Sequence, residues 1–174
     1  MTSTIVKWGE SKVKLTWRQD IHLPDMKLIT SIHGFCFNSG KLLLVKLRKR
    51  GWDFPGGHLE KGESPEECLE REAMEEAYVS GHSHLLGYII VDHHDNPYWN
   101  EDGHYPKVGY QIFYQMEVDQ VHRFEAEYES VERCWIDPAR VSDYYPAWNE
   151  VYHEILSTAE GIHNQKGISI MKNM

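Results

Sequence analysis

The stretch from Phe54 to Val79 leaves this chain few options: Phe-Pro-Gly-Gly-His-Leu-Glu-Lys-Gly-Glu-Ser-Pro-Glu-Glu-Cys-Leu-Glu-Arg-Glu-Ala-Met-Glu-Glu-Ala-Tyr-Val. It is a glycine loop running straight into a carboxylate-rich helix. Gly56, Gly57 and Gly62 are free to adopt positive φ or to let the backbone close on a ligand. Ser64 suits the N-cap, Pro65 the first helical position, and Glu67 completes a Ser-x-x-Glu capping box, so a helix is predicted over 65–77. On it Glu72, Glu75 and Glu76 stand at i, i+3 and i+4, within one arc of about 100°. Like charges so placed repel by roughly a few tenths of a kcal/mol per pair. A cation resting on them removes that cost, and hard ions such as Mg²⁺ and Mn²⁺ take oxygen ligands, often together with substrate phosphates. Taken alone, the three glutamates read more plainly as a solvated acidic face.

Gly57 to Gly62 has the glycine spacing of a P-loop, but Glu63 and Ser64 follow where Lys and Ser or Thr are required. An acidic residue there repels the phosphates that a P-loop lysine grips. The longer spacing is more specific. Gly57, five residues, Glu63, seven residues, then Arg71-Glu72-Ala73-x-Glu75-Glu76 resembles the Nudix box of the Nudix hydrolases, over residues 57–79. The family pattern is Gly-x5-Glu-x7-Arg-Glu-U-x-Glu-Glu-x-Gly-U, with U a bulky aliphatic, and Pro55-Gly56 looks like its usual lead-in. Two positions depart. Ala73 is small for the aliphatic site, and Tyr78 stands where the pattern has the Gly that stops the helix in a left-handed turn. That leaves the helix end open, with Gly81 as the next stop.

The resemblance implies an α/β protein with the Nudix fold, an α/β/α sandwich around a mixed β-sheet. It implies that Glu72, Glu75 and Glu76 hold Mg²⁺ or Mn²⁺, with the Gly56 carbonyl a further ligand, and that Glu63 pairs with Arg71 to set the loop against the helix. The base carboxylate moves among Nudix families. A box glutamate or one from the 125–129 loop can serve, with Glu127 and Glu129 the candidates there, and a solvated acidic loop explains those residues equally well. The implied reaction is hydrolysis of the pyrophosphate linkage of a nucleoside diphosphate derivative, such as a nucleoside triphosphate, an oxidised nucleotide or ADP-ribose. Its products are a nucleoside monophosphate and a second phosphate-bearing fragment, or pyrophosphate from a triphosphate. The rival is a non-catalytic Nudix-like module that binds a nucleotide as a sensor; such modules usually lose box carboxylates, and this chain keeps all of them.

Length and charge bound the rest. A chain of 174 residues fits one domain spanning 1–174. Its net charge of −9 and lack of a basic run argue against a broad nucleic-acid footprint. Cys36, Cys68 and Cys134 match neither a zinc pattern nor a disulfide framework, as suits a reducing compartment. Neither a signal peptide nor an apolar run of membrane-spanning length is apparent, so a cytoplasmic protein without a membrane partner is expected.

Along the chain, Thr4–Trp8 and Lys12–Arg18 alternate around Gly9-Glu10-Ser11 and predict a hairpin, with Trp8 and Trp17 as packing residues. Leu28–Phe37 and Lys41–Leu47 predict a second hairpin turning at Asn38-Ser39-Gly40. Lys46, Arg48, Lys49 and Arg50 form the densest positive group in an acidic chain, either a solvated turn or a means of steering phosphates into the adjacent site. His84–Asp92 and Val108–Val118 read as strands. His93 and His94, neighbours on extended chain, face opposite ways and are poor co-ligands for one ion. The loop 96–107 carries Tyr98, Trp99, His104 and Tyr105, which suit stacking on a nucleobase, simple packing, or a homodimer contact. With Arg50 and Gly57, the tyrosines and Trp99 make up the candidate substrate-binding set. Val131–Ile136 predicts a last strand and Pro146–Ala159 a second helix, with Trp148, Val151, Tyr152 and Ile155 on a core-facing stripe. The tail from Gly161 is expected to be loosely held.

Overall fold

A computed structural model describes residues 1–174, all but the side chain of Lys166. The predicted N-terminal hairpin forms from β1 (Ser3–Trp8) and β2 (Ser11–Gln19). The second joins β3 (Ile29–Asn38) to β4 (Lys41–Leu47), and its two-residue turn puts both Ser39 (φ 49°) and Gly40 (φ 77°) in the left-handed region that a tight hairpin requires. Two short strands escaped prediction, β5 (Gly51–Asp53) and β6 (Gly56–Gly57). After helix α1 (Pro65–Glu72) come β7 (Val79–Asp92), β8 (Val108–Val121) and β9 (Ser130–Ile136). A short α2 (Val141–Tyr144) and a long α3 (Glu150–Asn173) close the chain.

The strands form one sheet in the order β1-β2-β7-β8-β3-β4-β5, with β6 paired to β3 and β9 to β4. All pairings are antiparallel except β3 with β8, so the sheet is mixed. Helices cover both faces, which makes the α/β/α sandwich. A strand buried on both sides should be apolar throughout, and Leu42-Leu43-Leu44-Val45 of β4 is. Leu42 and Leu44 join Phe35, Phe37 and Phe113 beneath Val151, Ile155 and Ala159 of α3. Leu43 and Val45 join Ile32 and Cys36 beneath Cys68 and Leu69 of α1.

Two expectations about helix ends are corrected. The box helix does not run on to Gly81. It widens to one π-helical turn over Ala73–Ala77, and Tyr78 stops it with φ 56° and ψ 42°, the left-handed conformation usually left to Gly. Gly81 lies instead in β7, where a Cβ would fall 1.9 Å from the Glu117 carbonyl oxygen. The C-terminal tail is not loose at Gly161: α3 starts at an Asn149 N-cap and continues to Asn173. The helical register brings Ile162 onto the core, stacks His163 on Phe37 at 5.0 Å, and sets its Nδ1 2.5 Å from Glu117 Oε1. From Gly167 onward every residue is exposed.

Candidate active site

The capping box forms as written. Ser64 Oγ accepts from the Glu67 N–H at 3.1 Å, and Glu67 Oε2 accepts from the Ser64 N–H at 2.9 Å. With its start fixed, α1 can press close against β3, where a Cβ on Gly34 would come within 2.7 Å of Leu69 Cδ1. The carboxylate face then meets β6. A Cβ on Gly57 would lie 2.3 Å from Glu72 Oε1, and one on Gly56 would lie 2.2 Å from the Ile32 carbonyl oxygen. Both positions need glycine for this close approach.

Arg71 is the hub of the helix face. Its Nε donates to Glu63 Oε1 at 2.6 Å and its Nη2 to Glu63 Oε2 at 3.1 Å, a two-pronged pair that holds Glu63 below the usual carboxylate range. Nη1 reaches Glu72 at 2.9 Å and Glu75 at 3.4 Å, and Nη2 reaches the His58 carbonyl at 3.2 Å. One guanidinium thus ties the start of the helix, its carboxylate face and the glycine loop together. Glu76 points inward, with one oxygen accepting from the Gly56 N–H at 3.2 Å. It is buried, and burial first, then the adjoining Glu72 carboxylate, push its pKa well above the ordinary value. A cation beside such a carboxyl would favour its ionised form.

A remote segment completes the groove. Glu129 and Tyr128 line it together with Glu72, Glu75, Glu76 and Arg50. The Glu129 carbonyl accepts from the Arg48 N–H at 3.1 Å, and Ser130 Oγ donates to the Glu76 carbonyl. Glu127 does not line the groove; its N–H donates to Tyr78 Oη at 2.9 Å.

Beside the groove, and sharing Arg50, Gly56, Gly57 and His58 with it, lies a cavity of about 320 Å³. Its origin is a change of character along one face of the sheet. Phe37 and Phe35 of β3 face the α3 core, but the next inward residues are His33 and Ser31, and on β8 Gln111 follows Phe113. His33 Nε2 lies 2.9 Å from Ser31 Oγ, its ring stacks on Phe113 at 5.2 Å, and enclosure lowers its pKa to about 4. Asp53, raised by burial, accepts from the Phe54 N–H at 2.8 Å on another wall. Trp8 and Tyr105 line the cavity while remaining half exposed.

Of the predicted substrate-binding residues, Arg50, Gly57 and Tyr105 therefore come together at the cavity, and Tyr98 and Trp99 do not line it. Trp99 braces the loop instead: its Nε1 donates to the Tyr105 carbonyl at 3.1 Å, and Lys107 Nζ sits 5.4 Å from its ring. Of the basic cluster, Arg50 lines both spaces, while the Lys46 ammonium lies 5.8 Å from the ring of Trp52. His93 and His94 part as expected, His93 to the cavity and His94 outward to Asp92 at 2.5 Å. Trp17 is core, but Trp8, expected to pack, lines the cavity. Sequence reading missed Ser31, His33, Asp53 and Gln111. The signal for the first two was there: polar residues on the inward face of an otherwise apolar strand.

Among the described residues, no group of three or more His, Cys, Asp or Glu side chains is already drawn into a ligand cluster. The donor chemistry nonetheless fits a hard divalent cation. Glu72, Glu75, Glu76 and Glu129 offer only oxygen, and Gly57 keeps space beside Glu72 that any Cβ would fill.

The NUDIX domain family model matches residues 27–157. Among curated proteins, none matches the sequence. Of solved structures, the pyrophosphohydrolase BsRppH of Bacillus subtilis superposes with a TM-score of 0.69 at 19% identity, covering 92% of this chain and 97% of its own. An ADP-ribose pyrophosphatase of Streptococcus suis gives a TM-score of 0.52 at 19% identity, covering 76% of this chain and 89% of its own. MutT of Methanosarcina mazei gives 0.53 at 18% identity, covering 78% and 94%.

Proposed function

The chain belongs to the NUDIX family, and we propose that it is a divalent-metal-dependent hydrolase of the pyrophosphate linkage in a nucleoside diphosphate derivative. One observation carries this reading: a groove lined by five glutamates, Glu72, Glu75 and Glu76 from a single helix, Glu60 from the glycine loop and Glu129 from a distant loop, opens beside a part-aromatic cavity across a shared glycine strand. A pyrophosphate lying over Gly56 and Gly57 would have the carboxylates on one side and the cavity on the other.

Bound Mg²⁺ or Mn²⁺ supplies charge neutralisation for the diphosphate and acidifies the attacking water. Glu72, Glu75 and Glu76 would hold it, with the Gly56 carbonyl in reach of the same groove. Glu63 and Arg71 orient the loop on the helix and do not need to touch substrate. Arg50, at the junction of groove and cavity, pairs with phosphate oxygens. Glu129 accepts the proton of the attacking water. The cavity suits a nucleoside: Trp8 and Tyr105 offer aromatic faces at its rim, and Ser31, His33 and Gln111 offer donors and acceptors for a base edge. No described helix is long and apolar enough to cross a membrane.

The test is a product assay over a panel of nucleoside diphosphate derivatives, including nucleoside triphosphates, oxidised nucleotides and ADP-ribose, with Mg²⁺ or Mn²⁺ and with Glu76→Gln as control. Turnover that requires the metal and Glu76 supports the hydrolase. Nucleotide bound but never consumed by folded, metal-loaded protein would overturn it in favour of a sensor.

A further inference from the structure

The box helix ends on Tyr78, in a left-handed backbone conformation that disfavours every residue but Gly. Its side chain shows what the tyrosine adds there. The ring is nearly buried and meets Phe124 edge-on at 5.2 Å, and its Oη accepts from the Glu127 N–H at 2.9 Å. Glu127 follows Ala126, itself left-handed at φ 53°, so the bond holds the chain where it turns toward the groove. Arg133 closes the same junction. Its Nη1 donates to the Ala77 carbonyl at 2.6 Å, its Nη2 to the His122 carbonyl at 2.8 Å, and its guanidinium lies 5.6 Å from the Phe124 ring. On the far side, the Arg48 N–H holds the Glu129 carbonyl, and Ser130 Oγ holds the Glu76 carbonyl. Glu129 is therefore suspended between two fixed points, and Tyr78 Oη is one of them.

We propose that Tyr78 is a positioning residue: through its hydroxyl it fixes segment 122–129 and so aims the Glu129 carboxylate into the groove beside Glu72 and Glu76. The helix that presents three of the carboxylates thereby also sets Glu129. A glycine at this position would stop the helix equally well but could not make that bond. The functional half of this inference rests on the hydrolase reading; the structural half does not.

The experiment compares Tyr78→Phe, which keeps the ring and removes the hydroxyl, with wild type in two readouts. By hydrogen exchange, amides of 124–129 should exchange about tenfold faster in the variant, the scale of one lost hydrogen bond, with α1 unchanged. Unchanged protection of 124–129 overturns the proposal whether or not the protein is a hydrolase. In turnover on whichever panel compound the wild type consumes, kcat should fall about tenfold at constant KM, and Tyr78→Phe should add nothing in a Glu129→Gln background. Full kcat in Tyr78→Phe, or an equal loss with and without Glu129, would overturn it too. A wild type that consumes no compound bears on the hydrolase reading alone, and the exchange result still decides the role of Tyr78 in the loop.

Discussion

The carboxylate groove and the cavity beside it share Gly56, Gly57, His58 and Arg50, yet they are assembled in opposite ways. The groove takes Glu72, Glu75 and Glu76 from a single helix whose start, direction and stop are set within the same short stretch of chain. The cavity draws on β1, β3, β5, β8 and the loop after β7, none giving more than three of its lining residues. The contrast separates two tasks. On the hydrolase reading, holding the cations that would neutralise a diphosphate needs carboxylates at fixed spacing, which a helix supplies locally. Recognising what is attached to it needs a shape, and that is made from separate elements which can change one at a time.

Changes in the two regions should therefore leave different signatures. The largest effect is expected in the groove, where Glu76→Gln should lower kcat by about 10³-fold with little change in KM, while circular dichroism shows the fold intact. Retained turnover would remove Glu76 from the ligand set. Next is Gly57→Ala, whose methyl would stand 2.3 Å from Glu72 Oε1. We expect kcat about 10²-fold lower from a displaced carboxylate, against a loss of roughly 1 kcal/mol in stability measured by urea unfolding. A variant as active as wild type would show that Glu72 has room to move.

On the cavity side the expected effects are smaller and different in kind. Enclosure holds His33 at a pKa of about 4, below its ordinary 6.5. Between those values the unfolded chain binds the extra proton and the folded protein does not, so stability is fully present above pH 6.5 and is lost as pH falls toward 4. Because part of the ring faces the cavity, the loss is about 2 kcal/mol, and it should vanish in His33→Gln when unfolding is followed across pH 4–7. An identical acid slope in both proteins would assign the loss to other groups. Smallest of all, Trp8→Ala should raise KM about tenfold at unchanged kcat, the scale of one lost stacking contact. A fall in kcat instead would blur the division between groove and cavity.

The same division decides what was legible in the sequence. The capping box, the glutamate face and the Glu63–Arg71 pair are local, and each appears in the structure as read. Both hairpins followed from turn residues and alternation. Strands of two or three residues, such as β5 and β6, are too short to show a period, so Asp53 was missed. The tail after Gly161 lacked a clear stripe because its stabilising contacts, Phe37 and Glu117, lie far away in sequence. Trp8 looked like Trp17, since both alternate inward on neighbouring strands. Where β1 runs past the end of the core, the inward face meets a cavity instead of Phe113, and that depends on β3 and β8.

The parallel pairing of β3 with β8 bears on how the molecule comes into being. Ile32 lies opposite Ile112, and His33 opposite Phe113, with the entire box between them in the chain. Contacts so distant in sequence close late and slowly. A nascent chain that has just released Val79 already carries every box residue, and α1 can begin to form on its own capping signals. It still lacks the strand against which β3 must lie. The carboxylate-bearing helix can thus take shape during synthesis, whereas the cavity beside it waits until β8 has emerged.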